Sequence, residues 1–165
     1  SRTPRKTTPR KTTATTRTDS EEMSGVPFHY VELRAFAYPT EDEDAVTAAL
    51  RTFLPDDVEI EGVVTESHHG APILVLSARV ETADEVRAVL ERLWDLPAAD
   101  RQRVLSELDE RIDDDCNLYL TLSKQAAAEG DVELGEGITL RSRVEAYPAK
   151  HDAAVENARG ALEGL

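Results

Sequence analysis

The sequence predicts an α+β fold, with an antiparallel or mixed β-sheet and helices packed on one face. Two segments, FHYVELRAFAY at 28–38 and ILVLSARV at 73–80, are rich in the β-branched and aromatic residues typical of strands. Between the predicted strands, apolar residues recur at helical spacing. Strands that are joined by a hairpin and alternate with helices favour a sheet covered on one face, so the other face is expected to be open and available for function.

The expected order of elements is β-α-β-β-α-α-β-(β)-β-α. Pro39 ends the first strand, and Thr40 with Glu43 has the spacing of a capping box that opens the first helix. A second strand, DVEIEGVVTES at 57–67, leads through the turn HHGAP into the third strand. Thr82 and Glu85 repeat the capping-box spacing before the second helix.

The second half of the chain is expected to continue in the same way. A third helix from about residue 98 ends near DDDCN at 113–117, and LYLTLS at 118–123 alternates as a strand. A polar connector, in which a short strand is left open, leads to the last long strand, ITLRSRVEAY at 138–147. Pro148 ends this strand, and a closing helix completes the fold.

Composition divides the chain into two parts. Residues 1–25 form a basic segment of low complexity that is expected to be disordered, and residues 26–165 are expected to form a single α+β domain. Two interpretations of the tail stay open. It is either an arm that touches phosphates, or an extension upstream of a start at Met23, in which case residues 1–22 do not belong to the mature protein. The candidate contacts of the arm are Arg5, Lys6, Arg10 and Lys11.

The charge of the sequence is strongly negative and unevenly placed. The formal net charge is −14, and residues 1–18 carry six basic and no acidic residues, so the rest of the chain has a net charge of −20. Arginine dominates the cations, with 15 Arg and 4 Lys. An acidic, lysine-poor composition spread along the chain is typical of a salt-loving cytoplasm, where surface carboxylates keep proteins hydrated. An ordinary acidic domain is the alternative.

Several classes of protein are disfavoured by what the sequence lacks. No apolar run reaches the length of a membrane helix and no signal peptide is visible, and a single cysteine, Cys116, suits a reducing cytoplasm. A cytoplasmic protein without a membrane partner is therefore expected. The sequence contains no phosphate-binding glycine loop, nucleophile elbow or catalytic cysteine context, so neither an enzyme nor a cofactor is predicted.

The histidines and the acidic run do not indicate a metal site. Adjacent histidines in a strand point to opposite faces, which disfavours one shared metal ion for His68 and His69. The turn of His68, His69 and Gly70 is interpreted instead as a source of donors and close backbone approach for a ligand, with a plain hairpin tip as the alternative. The run DERIDDDCN at 109–117 is interpreted as a solvated helix end.

Cations are the informative residues in a chain this acidic. Several lie on or beside predicted strands rather than on helix faces, which indicates an anionic ligand on the sheet, although each alone also fits a salt bridge. These candidates are Arg34, Arg79, Lys124, Arg141, Arg143 and Lys150.

Two of the candidate arginines belong to a repeated pattern. RAFAYP at 34–39 and RVEAYP at 143–148 share the skeleton Arg-x-x-Ala-Tyr-Pro. We interpret the two copies as equivalent strand-to-helix corners, in which the arginine and the tyrosine, four residues apart, share one face of a strand. If the two strands are neighbours, Arg34 and Arg143 frame one anion-binding patch.

Four segments together resemble a known family. FHYVELRAFAYPTEDEDAVTAAL at 28–50, ESHHGAPILVLSARV at 66–80, DDDCNLYLTLSKQAA at 113–127 and RVEAYPAK at 143–150 are similar to an archaeal family of RNA-binding proteins. The same family is described as a predicted exosome subunit with a double-stranded-RNA-binding-like fold. The resemblance implies an antiparallel α+β domain, comparable to the ribosomal protein that binds 5S RNA, in an archaeal cytoplasm. With the acidic composition, it implies a haloarchaeal origin.

The resemblance and the cations together favour a non-catalytic RNA-binding protein. Its RNA is expected to be structured or ribosomal, and the exosome or another ribonucleoprotein is its expected partner. The RNA-binding residues are then the six cations above with the turn at 68–70. One alternative is an adaptor or homodimer that acts through an open sheet edge. A small-molecule sensor is another, although the turn at 39–42, where such domains admit their ligand, is closed and acidic.

Overall fold

The computed structural model describes residues 26–165. The predicted disordered tail, with its four candidate contact residues, lies outside the described residues. The predicted α+β fold is confirmed, and its elements follow the predicted order. The strands are β1 (Phe28–Ala37), β2 (Glu61–Glu66), β3 (Pro72–Val80), β4 (Asn117–Ser123) and β5 (Gly137–Val144). The helices are α1 (Glu43–Arg51), α2 (Ala83–Leu93), α3 (Ala98–Ser106), α4 (Leu108–Arg111), α5 (Lys124–Ala128) and α6 (His151–Glu163).

The five strands form one sheet in the order β2-β3-β1-β5-β4, and every neighbouring pair is antiparallel. Strand β1 lies at the centre, with Glu32 opposite Arg79 of β3 on one side and Arg141 of β5 on the other. Arg141 in turn lies opposite Tyr119 of β4. Because residues directly opposite each other share a face, these four side chains form one row across the sheet.

Helices cover one face of this sheet. Helices α1 and α2 contact β1, and α6 contacts β5. Leu33 of β1 and Leu140 of β5 are fully buried beneath them, together with Leu50 of α1 and Leu90 of α2. Burying one such leucine contributes about 1.5–3 kcal/mol. The alternation that buries these residues turns their neighbours in the sequence outward.

The outward-turned residues form the uncovered side of the sheet, which we call the open face. It combines arginines, aromatic rings, small polar side chains and two glutamates. Its residues are Tyr30, Glu32, Arg34 and Phe36 of β1, Ser77 and Arg79 of β3, Thr139, Arg141 and Arg143 of β5, Tyr119 and Thr121 of β4, and Glu61 and Val63 of β2.

Of the two predicted capping boxes, one is confirmed in part, with Thr82 as the N-cap of α2. The Thr82 hydroxyl accepts a hydrogen bond from the Glu85 N–H (3.2 Å) at the start of α2. At α1 the predicted box of Thr40 and Glu43 is wrong, because the N-cap is Asp42 and the helix begins two residues later than that spacing requires. Asp42 caps α1, and its carboxylate accepts a hydrogen bond from the Asp44 N–H (3.0 Å).

The connector between β4 and β5 contains the short helix α5 followed by one isolated bridge between Leu122 and Leu134. The optional short strand of the predicted order is therefore only a single bridged pair in the structure. A second bridge, between Ile112 and Leu118, lies at the other end of β4. Both bridges lie on the outer side of β4, so that edge of the sheet is partly occupied.

The two copies of the repeated pattern both join a strand to a helix, but they are not equivalent. Strand β1 continues to Ala37, next to Tyr38, whereas β5 ends at Val144, three residues before Tyr147. The predicted strand at 138–147 is therefore too long. Its pairing stops where β1 begins, with Val144 opposite Phe28. Tyr147 is fully exposed in the following loop and does not share a strand face with Arg143.

No helix within residues 26–165 combines the length and the apolar character that crossing a membrane requires.

Candidate nucleic-acid interface

The open face brings together four of the predicted site residues. Arg34, Arg79, Arg141 and Arg143 lie on three neighbouring strands and point to the same side of the sheet. Glu32 and Glu61 are the acidic strand residues on this side, so cations are in excess there although the whole chain has a net charge of −14. The open face is therefore locally suited to an anion.

Two of these arginines already have partners. The Arg79 Nε donates to the Glu81 carboxylate (2.7 Å), and its guanidinium lies 3.7 Å from the centre of the Tyr30 ring. Arg141 forms a salt bridge with Glu32 across the two central strands, with 3.1 Å between Nη2 and Oε1. An anion that binds these side chains must compete with glutamates.

Arg34 and Arg143 are the free cations of the open face. Both are exposed, and neither forms a salt bridge or a side-chain hydrogen bond with any residue in the range 26–165. Arg34 lies opposite Thr139, and Arg143 lies four residues further along β5, a separation of roughly 13 Å at strand spacing. The two strands are neighbours, as the predicted patch requires. The arginines stand at its two ends, with Arg141 and Glu32 between them.

Exposed aromatic rings accompany these cations. Phe36 is 40% exposed and Tyr119 is 39% exposed. Tyr38, just beyond β1, is also exposed and contacts Phe36 edge to face, with 6.2 Å between ring centres. The predicted site included no aromatic residue. The sequence could have indicated Tyr119, because this large aromatic residue lies on the polar side of an alternating strand. Burial in the core does not explain an aromatic residue at such a position.

The environment of Arg141 keeps its guanidinium charged. Burial acts to lower the pKa of Arg141, but the neighbouring Tyr30, Glu32 and Tyr119 side chains outweigh it and raise that pKa. The Nε atom of Arg141 is buried and finds no hydrogen-bond acceptor among residues 26–165. The Nε is out of reach of a ligand, so only the outer Nη atoms of this 40% exposed side chain are available for contact.

Lys124 is occupied by contacts within the protein. Its Nζ donates to the Phe36 carbonyl (2.8 Å) and to the Glu41 carboxylate (2.9 Å to Oε1), and the side chain is only 16% exposed. The hydrogen bond from Lys124, supported by one from the Tyr38 N–H, lowers the pKa of Glu41. Lys124 is therefore a salt-bridge residue, which was the alternative interpretation of each candidate cation. Its contacts connect the start of α5 to the end of β1.

The turn of His68, His69 and Gly70 forms the tip of the hairpin between β2 and β3. Two of its backbone donors are used internally. The Gly70 N–H donates to the Ser67 carbonyl (2.9 Å), and the His69 N–H donates to the Ser67 hydroxyl (3.3 Å). Gly70 adopts a positive φ of 83°, which favours glycine. The two imidazole rings lie 5.7 Å apart and are exposed, so contact with a ligand falls to these rings.

Lys150 lies outside the sheet, at the start of α6, and its side chain is exposed. The next residue, His151, contacts the Asp109 carbonyl through Nε2 (2.8 Å) and the Asp152 carboxylate through Nδ1 (3.2 Å). Asp109, His151 and Asp152 are the one group of three or more potential metal ligands in the described chain whose ligand atoms lie within 4.8 Å of one another. Both ring nitrogens of His151 already have partners, so the group serves as a contact between α4 and α6.

The fold and the open face define a class of protein: an antiparallel α+β sheet, covered by helices on one side, that presents arginines and aromatic rings on the other. A family model described as RNA binding matches residues 30–144 of this chain. The chain belongs to that family, and the resemblance found in its sequence is confirmed at this level.

Relatives and solved structures agree with this assignment. A protein of Pyrococcus abyssi named RNA-binding protein is 36% identical over 145 residues, which cover 82% of this chain and 94% of the relative. A solved DUF54 protein from Methanothermobacter thermautotrophicus is 38% identical, with a TM-score of 0.70, and the match covers 82% of this chain and 98% of that structure. A DUF54 protein from Archaeoglobus fulgidus is 29% identical, with a TM-score of 0.73 and coverage of 81% and 98%.

Proposed function

We propose that this chain is a non-catalytic RNA-binding protein that binds through the open face of its sheet. The observation that supports this best is the pair Arg34 and Arg143, exposed and without an ionic partner among residues 26–165, on the same face as exposed aromatic rings. The family description and the name of the Pyrococcus relative support the choice of RNA as the anion.

Binding on this face depends on short-range contacts rather than on long-range attraction. The chain as a whole is negative, with a net charge of −14, and repels a polyanion at a distance. Close to the sheet, the planar guanidinium groups of Arg34 and Arg143 form paired hydrogen bonds with phosphate oxygens, and the rings offer stacking surfaces to bases. Because few phosphates are neutralised, the affinity falls only moderately as salt rises.

The test is a double charge reversal, Arg34→Glu with Arg143→Glu. The matched control is Arg87→Glu with Arg103→Glu, since these arginines lie on α2 and α3 and pair with exposed Glu91 and Glu107. Both variants change the net charge equally, so long-range repulsion rises equally. We expect the open-face variant to lose measurable RNA affinity in fluorescence anisotropy, and the helix variant to retain affinity within a few-fold of the unmodified chain.

Equal weakening by both variants contradicts the proposal, because it leaves only general electrostatics. Retained affinity in the open-face variant contradicts it as well. Circular dichroism of both variants separates loss of binding from loss of fold.

Further parts of the function belong to the same proposal. A structured or ribosomal RNA, an exosome or other ribonucleoprotein partner, a cytoplasmic location and a haloarchaeal origin are supported by the sequence resemblance and the acidic composition. An affinity purification with and without nuclease tests the partner. Exosome subunits that stay bound after nuclease treatment support a direct contact, and their complete loss contradicts it.

The tail is proposed as an accessory contact. The tail adds positive charge to a chain whose remainder is strongly negative, and the residues proposed for this role are Arg5, Lys6, Arg10 and Lys11. Removal of residues 1–22 is expected to weaken RNA binding and to reduce its dependence on salt. Unchanged affinity and unchanged salt dependence contradict this accessory role.

A homodimer is the second candidate, and strand β2 favours it. Every residue of β2 is exposed, and Val63 and Val64, on opposite faces, are 63% and 68% exposed. Strand β2 is also an outermost strand of the sheet, and one edge of its backbone pairs with no strand formed by residues 26–165. Two copies of this strand that pair antiparallel place valines together.

Light scattering tests the dimer. Val63→Lys is expected to convert a dimer to a monomer, because the added charge repels its symmetric copy, while Ala99→Lys at an exposed position of α3 leaves the oligomeric state unchanged. A monomer at all concentrations in the unmodified chain contradicts the dimer and leaves the RNA proposal standing.

A further inference from the structure

A shallow cavity of about 230 Å³ lies within the open face. Its volume is below the range of about 300–1,000 Å³ usual for sites that enclose a small molecule, so it suits one planar group rather than a whole ligand. Strands β1, β5 and β4 contribute its lining, which combines two aromatic rings with charged and hydroxyl groups. The lining residues are Glu32, Arg34, Phe36, Tyr119, Thr139 and Arg141.

The rings of this cavity have the exposure that stacking requires. Phe36 and Tyr119 each keep about two fifths of their surface accessible, at 40% and 39%. A nucleobase that stacks on an exposed aromatic ring of a sheet strengthens binding about 5- to 150-fold. Because every base has a flat apolar face, this gain does not depend on sequence.

The polar lining offers both kinds of hydrogen-bonding group. The Glu32 Oε1 forms a salt bridge with Arg141, while its second carboxylate oxygen, Oε2, accepts no hydrogen bond from residues 26–165. That oxygen is available to an amino or imino group of a base. The Arg141 side chain is 40% exposed and its Nη atoms form no hydrogen bond with residues 26–165, so they can donate to a ligand. Arg34, which is exposed and unpaired within the same range, lies at the rim of the cavity. A base with its attached phosphate thus meets an acceptor, a donor and a cation within one cavity.

The same features disfavour a double helix as the ligand. In duplex RNA the bases are stacked on one another, so exposed protein rings find no base to stack on. Duplex recognition relies instead on phosphate and 2′-hydroxyl contacts over a wide surface. The open face carries four arginines, of which two are paired to glutamates. The chain surrounding them is strongly acidic.

We propose that this cavity binds one unpaired nucleobase stacked on Tyr119, with Phe36 as the stacking surface of a neighbouring base and Arg34 on the adjacent phosphate, so that the preferred ligand is single-stranded RNA. This inference rests on the proposed RNA-binding function and specifies its ligand. It also assigns a role to Glu32, Phe36, Tyr119 and Thr139, which the charge pattern alone did not single out.

The test compares a labelled single strand of about 12 nucleotides, within the usual site size, with the same strand annealed to its complement. Fluorescence anisotropy of the full chain is expected to show at least tenfold tighter binding of the single strand. Tyr119→Ala is expected to weaken single-strand binding about tenfold, the effect of losing one stacked base. Tyr119→Phe keeps the ring and retains the affinity.

Tyr147→Ala is the matched control, because Tyr147 is a fully exposed tyrosine outside the sheet. It is expected to bind as the unmodified chain does. If Tyr119→Ala does not fold, as judged by circular dichroism, Phe36→Leu removes the other ring and carries the same expectation.

Several outcomes overturn the inference without touching the proposed function. Duplex binding that equals or exceeds single-strand binding is one, and unchanged affinity in the Tyr119 and Phe36 variants is another. Equal weakening by Tyr119→Phe and Tyr119→Ala also overturns it, because stacking then is not the cause. If neither form of RNA binds, the proposed function itself fails.

Discussion

The arginines of the open face differ in whether they already have an ionic partner. Arg79 and Arg141 have glutamate partners, whereas Arg34 and Arg143 have none within residues 26–165. An RNA phosphate that binds Arg79 or Arg141 must first replace or join an existing ion pair, which reduces the net gain. Arg34 and Arg143 carry no such cost. They are therefore expected to dominate the binding energy.

Gly137 is required at the start of β5. Its φ of 112° lies in a region that favours glycine, and an added Cβ would overlap the Cβ of Lys124. Gly137→Ala is expected to lower the free energy of unfolding by about 1–3 kcal/mol from backbone strain, and further from the overlap. Chemical denaturation measures the change.

Gly160→Ala is the matched control for that substitution. Gly160 is exposed in the interior of α6, and a Cβ there meets no atom within 4 Å. The same chemical change is expected to stabilise the protein by about 0.5–1 kcal/mol, because alanine favours a helix. A loss of stability at position 160, or none at 137, contradicts this account of the two glycines.

The sequence indicated which side chains share the open face but not which of them are engaged. Alternation along β1 and β5 places Arg34, Arg141 and Arg143 on one side without knowledge of the fold. Their partners depend on strand register and on long-range contacts. Lys124 and Glu41 lie 83 residues apart in the chain, so no local pattern predicts that Lys124 is already paired.

Element boundaries were predictable where local chemistry decides them. Thr82 caps α2 as its spacing predicts. Asp42 rather than Thr40 caps α1. Both side chains lie near the same helix terminus, and a carboxylate is a stronger hydrogen-bond acceptor than a hydroxyl. The end of β5 depends instead on where β1 begins. The sequence of β5 alone does not contain that information.

His151 connects α6 to α4 in a pH-dependent way. The contacts with the Asp109 carbonyl, then with the Asp152 carboxylate, raise the pKa of His151. A raised pKa in the folded state means that the stabilisation is complete below the unfolded value of about 6.5. It is lost as the pH rises through the folded value.

Thermal unfolding at several pH values tests this contact. The difference in Tm between the unmodified chain and His151→Gln is expected to be largest near pH 6 and to shrink toward pH 8. His29→Gln serves as the control, since the His29 side chain is exposed and forms no hydrogen bond with residues 26–165. A difference that grows as the pH rises contradicts the assigned contact.

The molecule as a whole carries far more negative than positive charge. It has 33 acidic residues against 19 basic ones. Repulsion among surface carboxylates opposes the compact state, and dissolved salt screens that repulsion. The Tm is therefore expected to rise between about 0.1 M and about 1 M KCl. A Tm that falls or stays constant contradicts the proposed adaptation to a salt-rich cytoplasm.

A nuclear magnetic resonance titration of the ¹⁵N-labelled chain with single-stranded RNA tests the open face most directly, because it reports on every backbone amide at once. We expect the changes in amide chemical shift to concentrate on β1, β5, β4 and the adjoining part of β3. The strongest changes are expected near Arg34, Tyr119 and Arg143. Helices α2, α3 and α6 are expected to remain unchanged. Changes that concentrate on those helices, with the open face unaffected, would contradict the central claim.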